Sequence, residues 1–328
     1  MARVSIKHIA ERLGVSNTTV SLVLNGKAQN GRVSEEMIQK IKQTAEEMNY
    51  LPNMAARSLR TGRSKTIGLI VADISNPFFA KLARYVENAA EAMNYQVMFG
   101  SSDESVEKFE KLLNVFIEKS VDGIIVAAPA GSESLILQIE KFGVPVVLVD
   151  RAMSSIPISS VQIDNEAAAY ALTTHLINEG CQRIGFMSYD MKLSNIKGRS
   201  DGYKKALSDA GIPYNQHLVR SVSFKRFDEE IRAALEVLLN NDIDSIVFAT
   251  NRVGLQSLHI LRELNKVNDL KFVSIDNPDE YNISSIPMTC IEQPIDEMGK
   301  RSLEILLRKI TDSDYKIIEN VTLQVSIH

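Results

Sequence analysis

The chain has 328 residues, 45% of them hydrophobic and 24% charged, with a net charge of −4, which is the make-up of a soluble globular protein of two or three folding units. No apolar run is long enough to span a bilayer, and the opening MARVSIKHIAERLG is an amphipathic helix pattern rather than a signal-peptide core. Cys181 and Cys290 lie far apart and without metal-ligand spacing to the five histidines, so they read as buried free thiols of a reducing cytosol, with no metal site.

The charge is unevenly spread. Residues 1–65 carry eleven Lys and Arg against five acidic residues, and the remainder carries 26 against 36. A +6 head on a −10 body predicts a polyanion-binding module joined to a soluble sensor or enzyme.

Ser5 is placed to cap a first helix with Ile6, Ile9, Ala10 and Leu13 on one stripe, and Gly14 to end it. Ser16 caps a second helix from Asn17 to about Asn25, closed by Gly26. Only three residues separate the two, a tight helix-turn-helix with small Ala10 at the approach. Val20, Val23 and Leu24 face the core. Asn17, Thr18, Ser21 and Leu22 fall on the opposite side, where such a helix meets base edges in the major groove. Asn suits adenine, and Thr or Leu suits a thymine methyl. A third helix opens at Ser34 with Glu35 and Glu36 in its first turn and buries Met37, Ile38, Ile41, Ala45 and Met48. It ends before Pro52, and Asn53 can cap a short helix MAARSLR that runs into the basic TGRSK.

SIKHIAERLGVSNTTVSLVLNG, followed by VSEEMIQKIKQTAEEMNYLPNMAARSLRTGRS, resembles the DNA-binding head of the lactose-repressor family of bacterial transcription regulators over residues 5–64. The resemblance implies a DNA-binding domain at 1–52 and a hinge helix and linker at 53–65, the hinge pairing with that of a second subunit in the minor groove. Leu59 matches the family's wedging leucine and Ala56 its small neighbour; such wedges kink DNA. Ser5 and Ser16 at helix starts, with Arg57, Arg60 and Arg63, are the expected phosphate contacts.

Beyond Lys65, apolar β-branched runs alternate with helical stretches. Strands are predicted at 66–74, 96–102, 123–128, 145–150, 160–164, 183–189, 217–224, 245–250, 271–276 and 288–294, repeating in two halves. This predicts parallel sheets covered by helices on both faces. G-x-G-x-x-G, P-loop, G-x-S-x-G and metal-spaced histidine motifs are missing from the sequence, so nothing argues for an enzyme or a cofactor. His175, mid-helix in ALTTHLI, reads as a satisfied helix histidine.

IGLIVADISNPFFAKLARYVE, VPVVLVDR, VQIDN, RSDGYKKAL, SIDN and TCIEQPIDEMGKRSLEILL resemble the periplasmic-binding-protein-like (type I) sensor body of the same family. The resemblance implies two interleaved lobes within 66–328, the first at about 66–162 plus 292–328 and the second at about 163–291. The ligand would lie in the cleft between them. Ligands of open α/β sheets sit beyond the carboxyl ends of strands. That rule selects Asp73, Ser75, Asn76 and Phe78 after the first strand, then Arg151, Asp164 and Asp276, with Asn277 beside it; the resemblance adds Asn195 and Arg199. Asp73 and Asp164 also fit as helix caps, Arg199 as an interlobe salt bridge, and Phe78 as cleft wall. A planar Phe with Arg and Asp suits a sugar, while Arg with two carboxylates also suits a purine or a phosphorylated sugar. Arg252 stands where many relatives carry Asp, and Ser274 and Asn277 where Gly and Asp are frequent, so no relative's effector is carried over.

The resulting expectation is a cytoplasmic, nucleoid-associated regulator, a repressor of carbohydrate-use genes, that binds a pseudo-palindromic double-stranded operator as a homodimer under the control of a sugar or sugar derivative. The sequence after residue 310 has no leucine-heptad pattern, which favours a dimer. The alternative is a global regulator of the same fold controlled by a partner protein, a purine or a phosphosugar.

Overall fold

The computed structural model describes residues 4–28, 33–50, 62–277, 286–312 and 314–327, which belong to two compact units, Met1–Ser64 and Lys65–His328. The first contains α1 (Ile6–Leu13), α2 (Asn17–Leu24) and α3 (Glu35–Glu47). Gly14 ends α1 at a φ of 66°, a left-handed turn, with its N–H returned to the Ala10 carbonyl. Ser16 Oγ accepts the Thr19 N–H at 3.0 Å and Ser34 Oγ the Met37 N–H at 3.3 Å, so both helices start on side-chain caps. Ile9, Ala10, Val20, Val23, Ile41 and Ala45 close the small core, with Leu13, Leu24, Met37, Ile38 and Met48 packed at its edge. Thr44, outside the expected stripe of α3, is buried as well. The expected hinge helix at 53–61 lies outside the described residues.

The second unit consists of two lobes. In the first, β1 (Thr66–Val71), α4 (Pro77–Ala92), β2 (Gln96–Ser101), α5 (Val106–Glu118), β3 (Gly123–Val126), α6 (Glu133–Lys141), β4 (Val146–Val149) and β5 (Ser160–Ile163) follow in order. The second has α7 (Asn165–Asn178), β6 (Ile184–Tyr189), α8 (Ser194–Asp209), β7 (Val219–Val222), α9 (Phe227–Leu239), β8 (Ser245–Phe248), α10 (Asn251–Glu263), β9 (Lys271–Ile275) and β10 (Thr289–Glu292). The chain then returns through α11 (Ile295–Thr311) to β11 (Asn320–Leu323) and ends in β12 (Ser326–Ile327). The sheet orders are β2-β1-β3-β4-β5-β11 and β7-β6-β8-β9-β10-β12, the same topology twice. Every pairing is parallel except β10 with β12.

Helices α4 and α11 cover one face of the first sheet, and α5 and α6 the other through Phe109, Leu113, Phe116, Ile136 and Ile139. Helices α7 and α8 cover one face of the second sheet, and α9 and α10 the other. Contact of α7 with α8 is close enough that a Cβ at Gly202 would lie 2.1 Å from the Glu166 carbonyl oxygen and 2.8 Å from the Tyr170 nitrogen.

All ten expected strands are present, trimmed where polar residues such as Asp73 and Asp150 turn out of the ladder, and Gln216–Leu218 forms a 3-10 turn before β7. Two strands were not foreseen, β11 and β12. They require one correction to the expected lobes: 326–327 belongs to the second lobe, because β12 hydrogen-bonds β10 after β11 has paired with β5. The chain therefore passes between lobes three times, near residues 164, 293 and 325.

Candidate functional site

On the first unit, the start of α2 presents Asn17 and Thr18 exposed, with Ser21 and Leu22 half-buried beside them. Leu22 lies outside the head core. The Ser21 hydroxyl already accepts from Asn25 Nδ2 at 3.2 Å, which fixes its orientation. No residue of α2 is charged. Ser16 is committed to its cap, and the Ser5 N–H donates to His8 Nδ1 at 3.2 Å. Among the other expected contacts, Arg63 is half-buried, and Ala56, Arg57, Leu59 and Arg60 lie outside the described residues.

In the second unit, the carboxyl ends of the strands of both sheets converge on one interlobe cavity. Asp73, Asn76, Phe78, Arg151, Asn195, Arg199 and Asp276 all line it. Two expected residues do not. Asp164 Oδ1 accepts the Ala167 N–H at 2.9 Å as the cap of α7, and exposed Ser75 donates through its N–H and hydroxyl to Asp73 Oδ1 at 2.9 and 2.6 Å. Both side chains are spent on local backbone and turn geometry. Asn76 likewise caps α4, accepting from the Phe78 N–H at 3.0 Å, but the same oxygen also accepts from Asn251 Nδ2 of the other lobe at 3.0 Å.

The repeat is visible in the site. Asp150 after β4 and Asp276 after β9 occupy equivalent places in the two sheets, and both take left-handed backbone, with φ of 70° and 75°. Such conformations cost energy and gather at functional sites. Asp150 Oδ2 accepts from Asn195 Nδ2 across the cleft at 2.9 Å, and Asp276 Oδ1 from Gln293 Nε2 at 2.5 Å. Burial raises the Asp276 pKa, with the Arg199 charge and the Gln293 bond opposing the rise.

Arg151 donates to both Glu104 oxygens at 2.9 and 3.0 Å and to Asp150 at 3.3 Å. Burial alone would lower its pKa, but the two carboxylates outweigh it and the net shift is upward. Arg199 donates to Asn165 Oδ1 at 2.8 Å and to the Ala249 carbonyl at 2.7 Å, within its own lobe, and burial lowers its pKa despite Asp276. Arg252, in the first turn of α10, lies 4.6 Å above the Phe227 ring and 5.5 Å from that of Phe224, and reaches across the cleft to Asp73 at 3.5 Å.

Tyr189, Thr250 and Gln293 complete the lining, and each keeps a buried oxygen without a hydrogen bond of regular geometry among the described residues. Burial pushes the Tyr189 phenol up to about 12, against Arg252 and Thr250, so it is a neutral donor at physiological pH. Buried polar atoms without partners are rare in folded chains, and three on one cavity mark a place for a polar ligand. The space left between the lobes is about 50 Å³, far below the few hundred Å³ of a small-molecule site, so the lobes must part to admit one. A groove of about 470 Å³, lined by Lys81, Arg84, Tyr85 and Asp296, adjoins it past Phe78 and Gln293.

Sequence reasoning missed Glu104, Asp150, Tyr189, Thr250, Asn251 and Gln293. For Asp150, Tyr189 and Thr250 the signal was present, since each sits at or just beyond the carboxyl end of a strand. No helix among the described residues is long and apolar enough to cross a membrane.

Comparison with known proteins places this geometry. Residues 5–53 match the family described as bacterial regulatory proteins, lacI family, and residues 64–326 match the periplasmic binding proteins and sugar binding domain of the LacI family. The catabolite control protein A of Priestia megaterium is 32% identical, the match covering 93% of this chain and 92% of that one. The ribose operon repressor of Halalkalibacterium halodurans is 33% identical, with 93% and 90% covered. The lac repressor dimer bound to operator and an anti-inducer shares the fold, with a TM-score of 0.85 at 21% identity over 99% and 98% of the two chains. Helix-turn-helix head, two-lobed body and full-length relatives agree: the chain belongs to the LacI family and is a DNA-binding transcription regulator, not an enzyme.

Proposed function

We propose that the protein works in the cytoplasm, on the nucleoid, as a homodimeric repressor of carbohydrate-use genes whose operator affinity is set by a sugar-like effector bound between the lobes of the body. The observation that carries this reading is the cavity itself: seven residues selected from sequence meet there, with three buried polar oxygens lacking a hydrogen bond of regular geometry among the described residues. In this reading Asp73, Asn76, Phe78, Arg151, Asn195, Arg199 and Asp276 hold the effector, while Ser75 and Asp164 only shape the turns. Asn17, Thr18, Ser21 and Leu22 read base edges, Leu22 by apolar contact. Ser5, Ser16, Arg57, Arg60 and Arg63 meet phosphates, and the paired hinges wedge Leu59, with Ala56 beside it, into the minor groove.

Twofold symmetry of the dimer would be mirrored in the operator. Effector binding would change the separation of the lobes and so the placement of the two hinges. The test is operator selection from random DNA, followed by anisotropy titrations of the selected site with and without a panel of sugars. A twofold-symmetric site whose affinity changes with one sugar is expected, and the direction of the change distinguishes inducer from corepressor. A selected site without twofold symmetry overturns the paired-hinge model. Leu59→Ala is expected to abolish specific binding and to spare nonspecific binding; unchanged specific affinity removes the wedge.

A further inference from the structure

Three guanidinium groups surround the cavity, and they are not equally committed. Arg151 is saturated by Glu104, Asp150 and the Ala128 carbonyl, and Arg199 is held by Asn165 and Ala249. Arg252 is pinned by packing instead. Its guanidinium is laid against Phe227 and Phe224, and its one charged partner among the described residues is Asp73, across the cleft at 3.5 Å. That separation exceeds the usual length of a charge-assisted hydrogen bond, so the fork faces Asp73 with its N–H donors largely unspent. Asp73 in turn has one oxygen, Oδ2, outside the Ser75 turn.

We propose that Arg252 is the selectivity-determining residue of the cleft, and that Arg252 and Asp73 together read one hydroxyl of an uncharged sugar whose neighbouring hydroxyl meets Thr250 or Tyr189. The inference rests on the effector-sensing reading above and narrows it. A hydroxyl both accepts and donates. One inserted between these groups accepts from Arg252 and donates to Asp73, replacing a long ion pair with two charge-assisted hydrogen bonds, while the next hydroxyl reaches Thr250 or Tyr189. The aromatic shelf keeps the Arg252 fork in place when the lobes part, so the ligand meets a preorganised donor.

Charge decides against the phosphorylated alternative. The cavity is lined by three guanidiniums and four carboxylates, Asp73, Glu104, Asp150 and Asp276, and each guanidinium already has a carboxylate partner or neighbour. Lys81 lines the adjoining groove rather than this cavity. A phosphate dianion would enter a site that already holds one more carboxylate than guanidinium, where its desolvation is not repaid.

The experiment is calorimetry and thermal shift on the full chain with matched probes: glucose and glucose 6-phosphate, ribose and ribose 5-phosphate, and hypoxanthine. In the wild type one neutral sugar is expected to bind at least about tenfold tighter than its phosphate ester. Arg252→Gln is expected to weaken that sugar about tenfold or more, the effect of losing a hydrogen bond to a charged group. Arg252→Lys, which keeps the charge but not the fork, is expected to restore only part of it. The ligand-free melting temperature of both variants should stay within about 2 °C of wild type, since an ion pair this exposed contributes little stability. Tighter binding of a phosphate ester overturns the selectivity and leaves the sugar-like effector reading standing, as does an unchanged sugar affinity in Arg252→Gln, whereas tighter binding of hypoxanthine overturns both. Failure of every probe to bind the wild-type chain counts against both.

Discussion

Asp150 and Asp276 show how one residue position can carry the work of a repeat. Each follows the fourth strand of its half, each is turned into the left-handed region, and each aims a carboxylate at the cleft, where an amide side chain holds it. Burial raises the pKa of Asp276 against Arg199 and Gln293. A carboxyl group with a raised folded-state pKa binds its proton more tightly folded than unfolded, so the stability it contributes is present at low pH and lost as pH rises through that folded value. Asp276→Asn removes the titration and keeps a residue tolerant of left-handed backbone. Its melting temperature relative to wild type should therefore climb by about 2–4 °C per kcal/mol recovered between pH 4 and pH 7, while sugar affinity falls about tenfold or more. A difference in melting temperature that does not move with pH defeats the argument. At this scale the sequence was only half legible. Asp73 and Asp276 could be picked from strand ends, yet Asp164 looks identical in one dimension and is spent on the Ala167 N–H. Gln293 reaches the cavity only because the chain crosses back between lobes there, which no local pattern encodes.

Elements were more legible than residues. Eight of the ten strands found from sequence bury at least half of their positions, as in GIIV and SIVF, where all four are buried; β2 and β7, at the sheet edges, do not. The pair that escaped, β11 and β12, are NVTL, exposed or half-buried at three of its four positions, and SI, exposed throughout. They exist because edge positions were left by strands 160 and 34–36 residues away in sequence. Packing between elements gives a sharper test at Gly202. A Cβ there would lie 2.1 Å from the Glu166 carbonyl, on rigid helix backbone, so Gly202→Ala must push α7 and α8 apart. Denaturant titration should show a loss of about 3 kcal/mol or more, the upper end of overpacking. Gly185→Ala in β6 is the control: its nearest contacts would be at 3.4 Å, ordinary van der Waals distance, and its stability should stay within about 1 kcal/mol of wild type. Equal losses at the two glycines would mean that the α7–α8 approach does not constrain residue 202.

For the molecule as a whole, the division of charge assigns each ligand its own salt dependence. Residues 1–65 hold eleven basic side chains against five acidic ones, and the rest of the chain holds 26 against 36. DNA binding therefore draws on the head, where each neutralised phosphate releases counterions. Six to ten phosphate contacts would cost about 10³- to 10⁵-fold in operator affinity between 50 and 200 mM salt. The cleft has no such exposed field, because Arg151 and Arg199 are buried beside carboxylates and half-exposed Arg252 faces Asp73, and buried pairs are screened little. Sugar affinity should accordingly change less than about threefold over the same range. The two equilibria are nonetheless linked, since an effector that alters operator affinity by some factor must have its own affinity altered by operator through the same factor. Calorimetric titration of sugar into the free regulator and into the operator complex, each at 50 and 200 mM salt, measures that factor directly. Agreement with the shift in operator affinity at each salt confirms a single coupled switch. A sugar affinity that falls as steeply with salt as DNA binding does would place the effector on the basic head instead of in the cleft.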